Sequence, residues 1–305
     1  MNQFVKIRSS QSGWVLFEVV ISTAIIMILL SYTVPILIQS KDHSTVVQQR
    51  LLSLSWSEGF KDNVMAQWQS IVRNGCYSGA ESIIEIGQFN SSQIPSRIKN
   101  KTLEKGSDWL KGGISGQCGS TQTINGNEFE FDSSCQWKTN QTVLFSHCEA
   151  EYQGWVSQVS GARITVQFNA IQPNSLGVWP SGALFRFEPY VWYVSKGKNG
   201  HAAFWRTPLR SGNSLELWSG VKKIAIYPML DNDSDGVLDE LSTEYGEYDR
   251  SKLNALWVEA LVTFEDCTNA PSFPTSQYTT FRGDTWSYQS RCDSIIDFIV
   301  PLSVL

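Results

Sequence analysis

Histidine is scarce in this chain: His43, His147 and His201 are the only three in 305 residues. None belongs to an HExxH, and the sequence has no GxSxG elbow, Walker loop or Rossmann glycine pattern. An enzyme built here would have to work with carboxylates alone, and the chain is read as a non-enzyme. Charge is also sparse, at 17% of residues, and acids outnumber bases 29 to 24 for a net charge of −5. That balance argues against generic attraction to nucleic acid or anionic lipid and leaves room only for a local basic patch. There is no CxxC pair and no histidine-rich spacing, which makes a zinc site a weak reading. No repeat, low-complexity run or linker marks a second independent domain after the N-terminal segment.

Aromatic residues are plentiful instead: they make up 12% of the chain, with 12 tryptophans. With so few charges, this suits aromatic-rich strands better than long solvated helices. The six cysteines, Cys76, Cys118, Cys135, Cys148, Cys267 and Cys292, all follow the apolar N-terminal segment. An even set so placed points to disulfides in an oxidising compartment, with free buried thiols as the alternative. Many pairings are formally open. Cys267 with Cys292 and Cys135 with Cys148 are favoured because each pair brackets turn-rich sequence, leaving Cys76 with Cys118.

Residues 1–13 are polar and basic, and from Trp14 to Ile38 the chain is almost continuously apolar. About 20 such residues in a helix cross the hydrocarbon of a bilayer. Lys6 and Arg8 favour a cytoplasmic N-terminus, with the rest of the chain outside the inner membrane. A secretory signal removed after its apolar core fits poorly, because no small-residue cleavage pattern follows. An ordinary signal anchor competes better, but it leaves Glu18 unexplained, since a carboxylate inside a span is costly and has a partner or a task. Residues 39–74 keep apolar side chains at helical intervals (Val47, Leu51, Leu54, Phe60, Val64, Trp68, then Ile71 or Val72), which predicts an amphipathic continuation ending near Asn74 and Gly75.

A short basic leader ending in Gly13, then an apolar helix with Glu at its fifth position and Pro at its twenty-second, resembles the type IV pilin family. The resemblance implies that a prepilin peptidase cuts after Gly13 and methylates the new amine of Trp14, that Glu18 and Pro35 serve assembly, and that the stem packs among other pilin or pseudopilin subunits. Trp14 and Val15 depart from the Phe or Met and the Thr usual at the first two mature positions. The implied fold is α+β: a long transmembrane and amphipathic helix packed on an antiparallel β-rich head spanning residues 75–305. The chemistry is coherent by itself. Cleavage would create a cationic amine four residues before Glu18, and residues i and i+4 share a helix face. A carboxylate there neutralises its own or a neighbour's amine, offsetting two charges expensive in lipid. Pro35 removes a donor and crowds the preceding turn, which predicts local loosening.

In the head, strands are expected at Glu128–Phe131, Thr142–Phe145, Arg163–Phe168, Ala183–Phe187, Val191–Val194, Ala203–Arg206, Val221–Tyr227, Leu256–Phe264 and Ile295–Leu302. The glycine-rich stretch Ser107 to Asn127 reads as turns. The clearest motif is the loop 231–240, DNDSDGVLDE. Calcium takes six to eight oxygen ligands. Carboxylates at Asp231, Asp233 and Asp235 converge as such a loop curls, Gly236 permits the turn, the Val237 carbonyl faces inward and Asp239 closes the site. Ser242 stands where an EF-hand would place its glutamate, and no flanking helix pair is visible, so the loop is EF-like without an EF-hand. A metal-free solvated acidic turn is the alternative. Strand, acidic loop and strand together also resemble the head of PilW-type minor pilins.

Arg282-Gly283-Asp284 is an RGD tripeptide, read as incidental. Trp155, Trp179, Trp192, Trp205 and Trp218 are read as buried strand aromatics before stacking platforms. The resulting expectation is a minor pilin of a type IV pilus, anchored in the inner membrane before assembly and on the cell surface after it, stabilised by structural calcium and disulfides. A GspJ-type minor pseudopilin of type II secretion is the alternative within assembly. A membrane-anchored, calcium-dependent adhesive or ligand-binding module is the alternative of another class.

Overall fold

The structure, a computed structural model, describes residues 12–69, 71, 83–89, 94–120, 122–125, 127–131, 136–147, 150–169, 183–233, 235–249, 252–263, 275–289 and 292–302. Helix α1 (Ser12–Trp68) is followed by strands β1 (Ile83–Gln88), β2 (Asp108–Ser120), β3 (Gln122–Asn125), β4 (Glu128–Glu130), β5 (Thr142–His147), β6 (Ala150–Ser160), β7 (Arg163–Phe168), β8 (Ala183–Lys196) and β9 (Ala202–Pro208). The chain continues through β10 (Leu215–Ser219), β11 (Val221–Leu230), β12 (Glu240–Leu241), β13 (Gly246–Asp249), β14 (Leu253–Thr263), β15 (Ser276–Thr279), β16 (Thr285–Tyr288) and β17 (Asp293–Pro301). The α+β expectation of a long apolar helix followed by an antiparallel β-rich region holds. The chain divides into two compact units, Met1–Ser55 and Trp56–Leu305, the second of which is called the head below.

In the first unit the side chains of Trp14–Lys41 are exposed, and this segment is long and apolar enough to cross a membrane. Two of its hydroxyls bond within the helix, as hydrocarbon surroundings would require: Thr23 Oγ1 donates to the Val19 carbonyl (2.9 Å) and Ser31 Oγ to that of Ile28 (2.7 Å). The helix runs through Pro35 without a break in its assignment.

The last turns of α1 belong to the head. Phe60, Val64, Trp68 and, just past the helix, Ile71 are fully buried, at the spacing of one helix face. The helix ends at Trp68, well before Asn74. Gln69 N–H still bonds the Met65 carbonyl, but Ile71 N–H bonds that of Trp68, and this tighter last turn carries Ile71 into the core.

A large antiparallel sheet runs β13-β1-β2-β8-β5-β6-β7-β4-β3, with β9 and β10 added beside β8, and a second sheet runs β12-β11-β14-β17. The main core joins Phe60, Val64, Trp68 and Ile71 to Ile84 and Ile86 of β1, Trp192 and Val194 of β8, Ile224 and Ile226 of β11, Val258 and Ala260 of β14, and Val300 of β17. Period-2 alternation gives each sheet a second buried face. Val191 and Tyr193 pack under residues 94–103, while Ala225, Tyr227 and Leu261 pack under the β15–β16 hairpin through Trp286. A further cluster of Phe129, Phe145, Val156, Ile164 and Leu184 fills the far end of the large sheet.

Two sequence expectations need correction. Ala183–Phe187 and Val191–Val194 are one strand, β8, running unbroken through Pro189. The stretch read as turns from Ser107 holds β2, which pairs with β1 and β8. Gly113 makes room for a ring rather than a turn: a Cβ there would lie 1.9 Å from Phe187 Cε2.

Candidate functional site

The acidic loop closes the hairpin between β11 and β12, which pair at Met229 with Leu241 and Leu230 with Glu240. Asp231 N–H bonds the Lys252 carbonyl (2.7 Å) and Asp239 N–H that of Leu230 (2.9 Å), fixing both ends. Inside the loop the carboxylates accept backbone donors. Asp231 Oδ2 takes Gly236 N–H (3.0 Å), Asp239 Oδ2 takes Asn232 N–H (2.7 Å), Asp233 Oδ1 takes Asp235 N–H (3.2 Å) and Asp235 Oδ1 takes Val237 N–H (2.7 Å). Gly236 holds φ at +88°, a conformation that L side chains rarely adopt, as the loop's curl requires.

Asp231, Asp233 and Asp239 come together, with one oxygen from each lying within 4.8 Å of the others. Asp231 is buried and the other two are exposed. Three converging carboxylates form a hard, all-oxygen donor set, the chemistry that suits calcium or magnesium and not a thiophilic metal. This trio could hold a metal ion. Asp235 is not among the three; its Oδ1 takes Val237 N–H. Sequence reasoning missed Asn254, whose Nδ2 donates to Asp231 Oδ2 (3.1 Å) from β14. No local signal marks it, because the strand pairing alone brings it there. Ser242, at the EF-hand glutamate position, is buried elsewhere, with its N–H on the Pro228 carbonyl and its hydroxyl 3.2 Å from Tyr248 OH.

A second polar centre is built around the arginine of the RGD tripeptide. Arg282, in the turn of the β15–β16 hairpin, points inward with a side chain only 10% exposed, and meets Asp108 at 2.8 Å. Its other donors reach the Thr243 carbonyl (2.7 Å), the Ile226 carbonyl (2.9 Å) and Tyr245 OH (2.7 Å), and its guanidinium lies 4.0 Å from the Tyr245 ring centroid. Asp108 also accepts Ile226 N–H (2.8 Å) and Tyr245 OH (3.0 Å). Burial lifts the Asp108 carboxyl to about 6, against the downward pull of Arg282. Alongside, Glu259 accepts the hydroxyls of Tyr227 and Tyr278 and the N–H of Phe281 (3.2 Å). Burial, reinforced by Glu259, pushes both phenols up. The knot ties β2 of the large sheet to β11, β14 and the hairpin, and it occupies the cation an RGD adhesive would display.

Gly13 and Trp14 lie in the first turn of α1; Trp14 is exposed, as is Glu18 one turn later. Pro35 lies within the span. Cys292 is buried and disulfide-bonded. The side chains of Cys76, Cys118, Cys135, Cys148 and Cys267 fall outside the described residues, and the pairings expected for them fall there too. Trp192 is buried, while Trp155, Trp205 and Trp218 are half-buried; Trp179 lies outside the described residues. Comparison with protein-family models, curated proteins and solved structures returned no match.

Proposed function

We propose that this chain is a filament subunit of the type IV pilin class, a minor pilin whose leader is removed after Gly13. The observation that carries this reading is α1 itself. One unbroken helix begins as an exposed apolar span bearing Glu18 four residues after Trp14, and ends as a core element of a β-rich head. An ordinary anchor needs neither the carboxylate nor the structural continuity. Before assembly the helix sits in the inner membrane with the head outside; after assembly the new amine and Glu18 of neighbouring stems pair away from water. The role is assembly, not catalysis, with a prepilin peptidase and other pilins as partners. The trio Asp231, Asp233 and Asp239 holds a structural calcium ion, with the Val237 carbonyl and water completing its shell.

Intact mass and N-terminal sequencing of protein from cells test the central claim. The mature chain should begin at a methylated Trp14, and Gly13→Ala should retain the leader. A wild-type terminus at Met1 would refute it.

A further inference from the structure

One edge of β8 is shared between two strands. β5 pairs with it as far as Arg186, and β9 takes over at Tyr190. Where these partners diverge, a cleft of about 100 Å³ opens, lined by Asn140, Gln141, Arg186, Glu188 and Arg210 among others. Arg186 is only partly satisfied there. Its Nη2 donates to the Gln136 carbonyl (2.7 Å) and its guanidinium lies 5.9 Å from the Trp137 ring centroid, but its buried Nε has no hydrogen-bond partner among the described residues. A buried donor left open costs free energy, so it is the rest of the Arg186 side chain, on the cleft wall, that is available to a ligand. Glu188, exposed, lies on the same cleft, and burial, reinforced by its carboxylate, pushes the Tyr190 phenol up.

A basic strap is tied to one wall of the cleft, at Pro208. Residues 94–105 cross the outer face of the large sheet, anchored by buried Ile98 and Leu103, by Glu104 N–H on the Val194 carbonyl (3.0 Å) and by Ser195 Oγ on the Thr102 carbonyl (2.8 Å). Arg97 ties the strap to the turn that carries Arg210, donating to the carbonyls of Pro208 (3.2 Å) and Gly212 (2.7 Å). Lys99, Lys101 and Lys105 of the strap, and Lys196 and Lys198 beside it, are all exposed, and none makes an ion pair among the described residues. Such a run of free cations on a chain of net charge −5 is a local field of opposite sign to the whole.

We propose that the strap and cleft form a docking surface for an acidic polysaccharide. One carboxylate seats between Arg186 and Arg210, and the strap lysines follow the remaining charges. The amides of Asn140 and Gln141 suit sugar hydroxyls. Nucleic acid fits less well, because the exposed aromatics of the described head, Tyr245 and Phe281, lie at the Arg282 knot and offer the strap no base-stacking platform.

The inference is independent of the filament reading, and its test needs no pilus. Full-length protein in detergent, with EGTA present so that no calcium bridges carboxylates, is titrated with a labelled polyuronate oligomer, a charge-matched DNA duplex and neutral dextran. Polyuronate should bind most tightly and weaken at least about tenfold from low to high salt. Lys99→Gln with Lys101→Gln and Lys105→Gln should abolish binding. Arg186→Gln should weaken it about tenfold with an unchanged melting temperature. Absence of polyuronate binding, equal affinity for dextran or the duplex, or indifference to Arg186→Gln would each overturn the proposal.

Discussion

Arg282 shows how a buried charge is tolerated. Its donors and the Asp108 oxygens are matched by each other, two backbone carbonyls, one backbone N–H and the Tyr245 hydroxyl. Arg282→Met keeps the apolar bulk but strands a buried carboxylate, and breaking such pairs costs about 3–5 kcal/mol. Thermal unfolding followed by circular dichroism should therefore fall on the order of 10 °C for a domain of this size. A shift of only a degree or two would mean that the knot is peripheral to stability. Asp108 adds a pH signature. Its folded value, about 6, lies above the ordinary 3.8. The stability it contributes is fully present below 3.8 and lost as pH rises through about 6. Asp108→Asn should melt lower at every pH, and its difference from wild type should narrow as pH rises across that window. A constant difference from pH 4 to 6.5 would contradict the assignment. Nothing local in the sequence announced this pair, because its two members meet only when β2 and the hairpin dock on β11.

At the scale of elements, legibility followed local chemistry. β7 was readable to the residue because its apolar positions alternate cleanly, and the hairpin loop 231–239 because aspartates and a glycine at fixed offsets specify its curl. β2 was hidden because its glycines look like punctuation, although Gly113 is space for the Phe187 ring, a side chain supplied from elsewhere. Asp235 is assigned to the metal by spacing; in the structure its Oδ1 accepts Val237 N–H and the converging trio is Asp231, Asp233 and Asp239. The loop therefore yields a discriminating prediction. Calcium should raise the melting temperature relative to EGTA, and saturation at about 100 times the dissociation constant is worth about 2.7 kcal/mol. Asp231→Asn with Asp239→Asn should erase that gain, whereas Asp235→Asn should keep most of it. Magnesium should substitute poorly, since its small octahedral shell asks for tighter geometry. If calorimetric titration to millimolar calcium finds no binding, the acidic-turn reading stands in its place.

For the whole molecule, the sequence exposed the stem more fully than the head because a span must be apolar for its entire length, whereas the head's cores are assembled from strands far apart in the chain. The stem also carries the decisive test of assembly. Glu18 is exposed one turn after Trp14, in a segment long and apolar enough to cross a membrane. Glu18→Gln preserves shape and makes the span more apolar, so membrane insertion should be unchanged or slightly improved. Docking should suffer, because the amine created at Trp14 would enter the filament without a carboxylate to neutralise it, leaving an unpaired charge away from water. The expected result is wild-type protein in the membrane fraction and several-fold less in sheared filaments, measured by immunoblot of both fractions from one culture. Leader removal should be normal, which separates this variant from Gly13→Ala, where the amine is never made and both fractions should contain unprocessed chain or none. Equal filament incorporation of Glu18→Gln and wild type would reduce the helix to an anchor and remove the main support for the pilin reading.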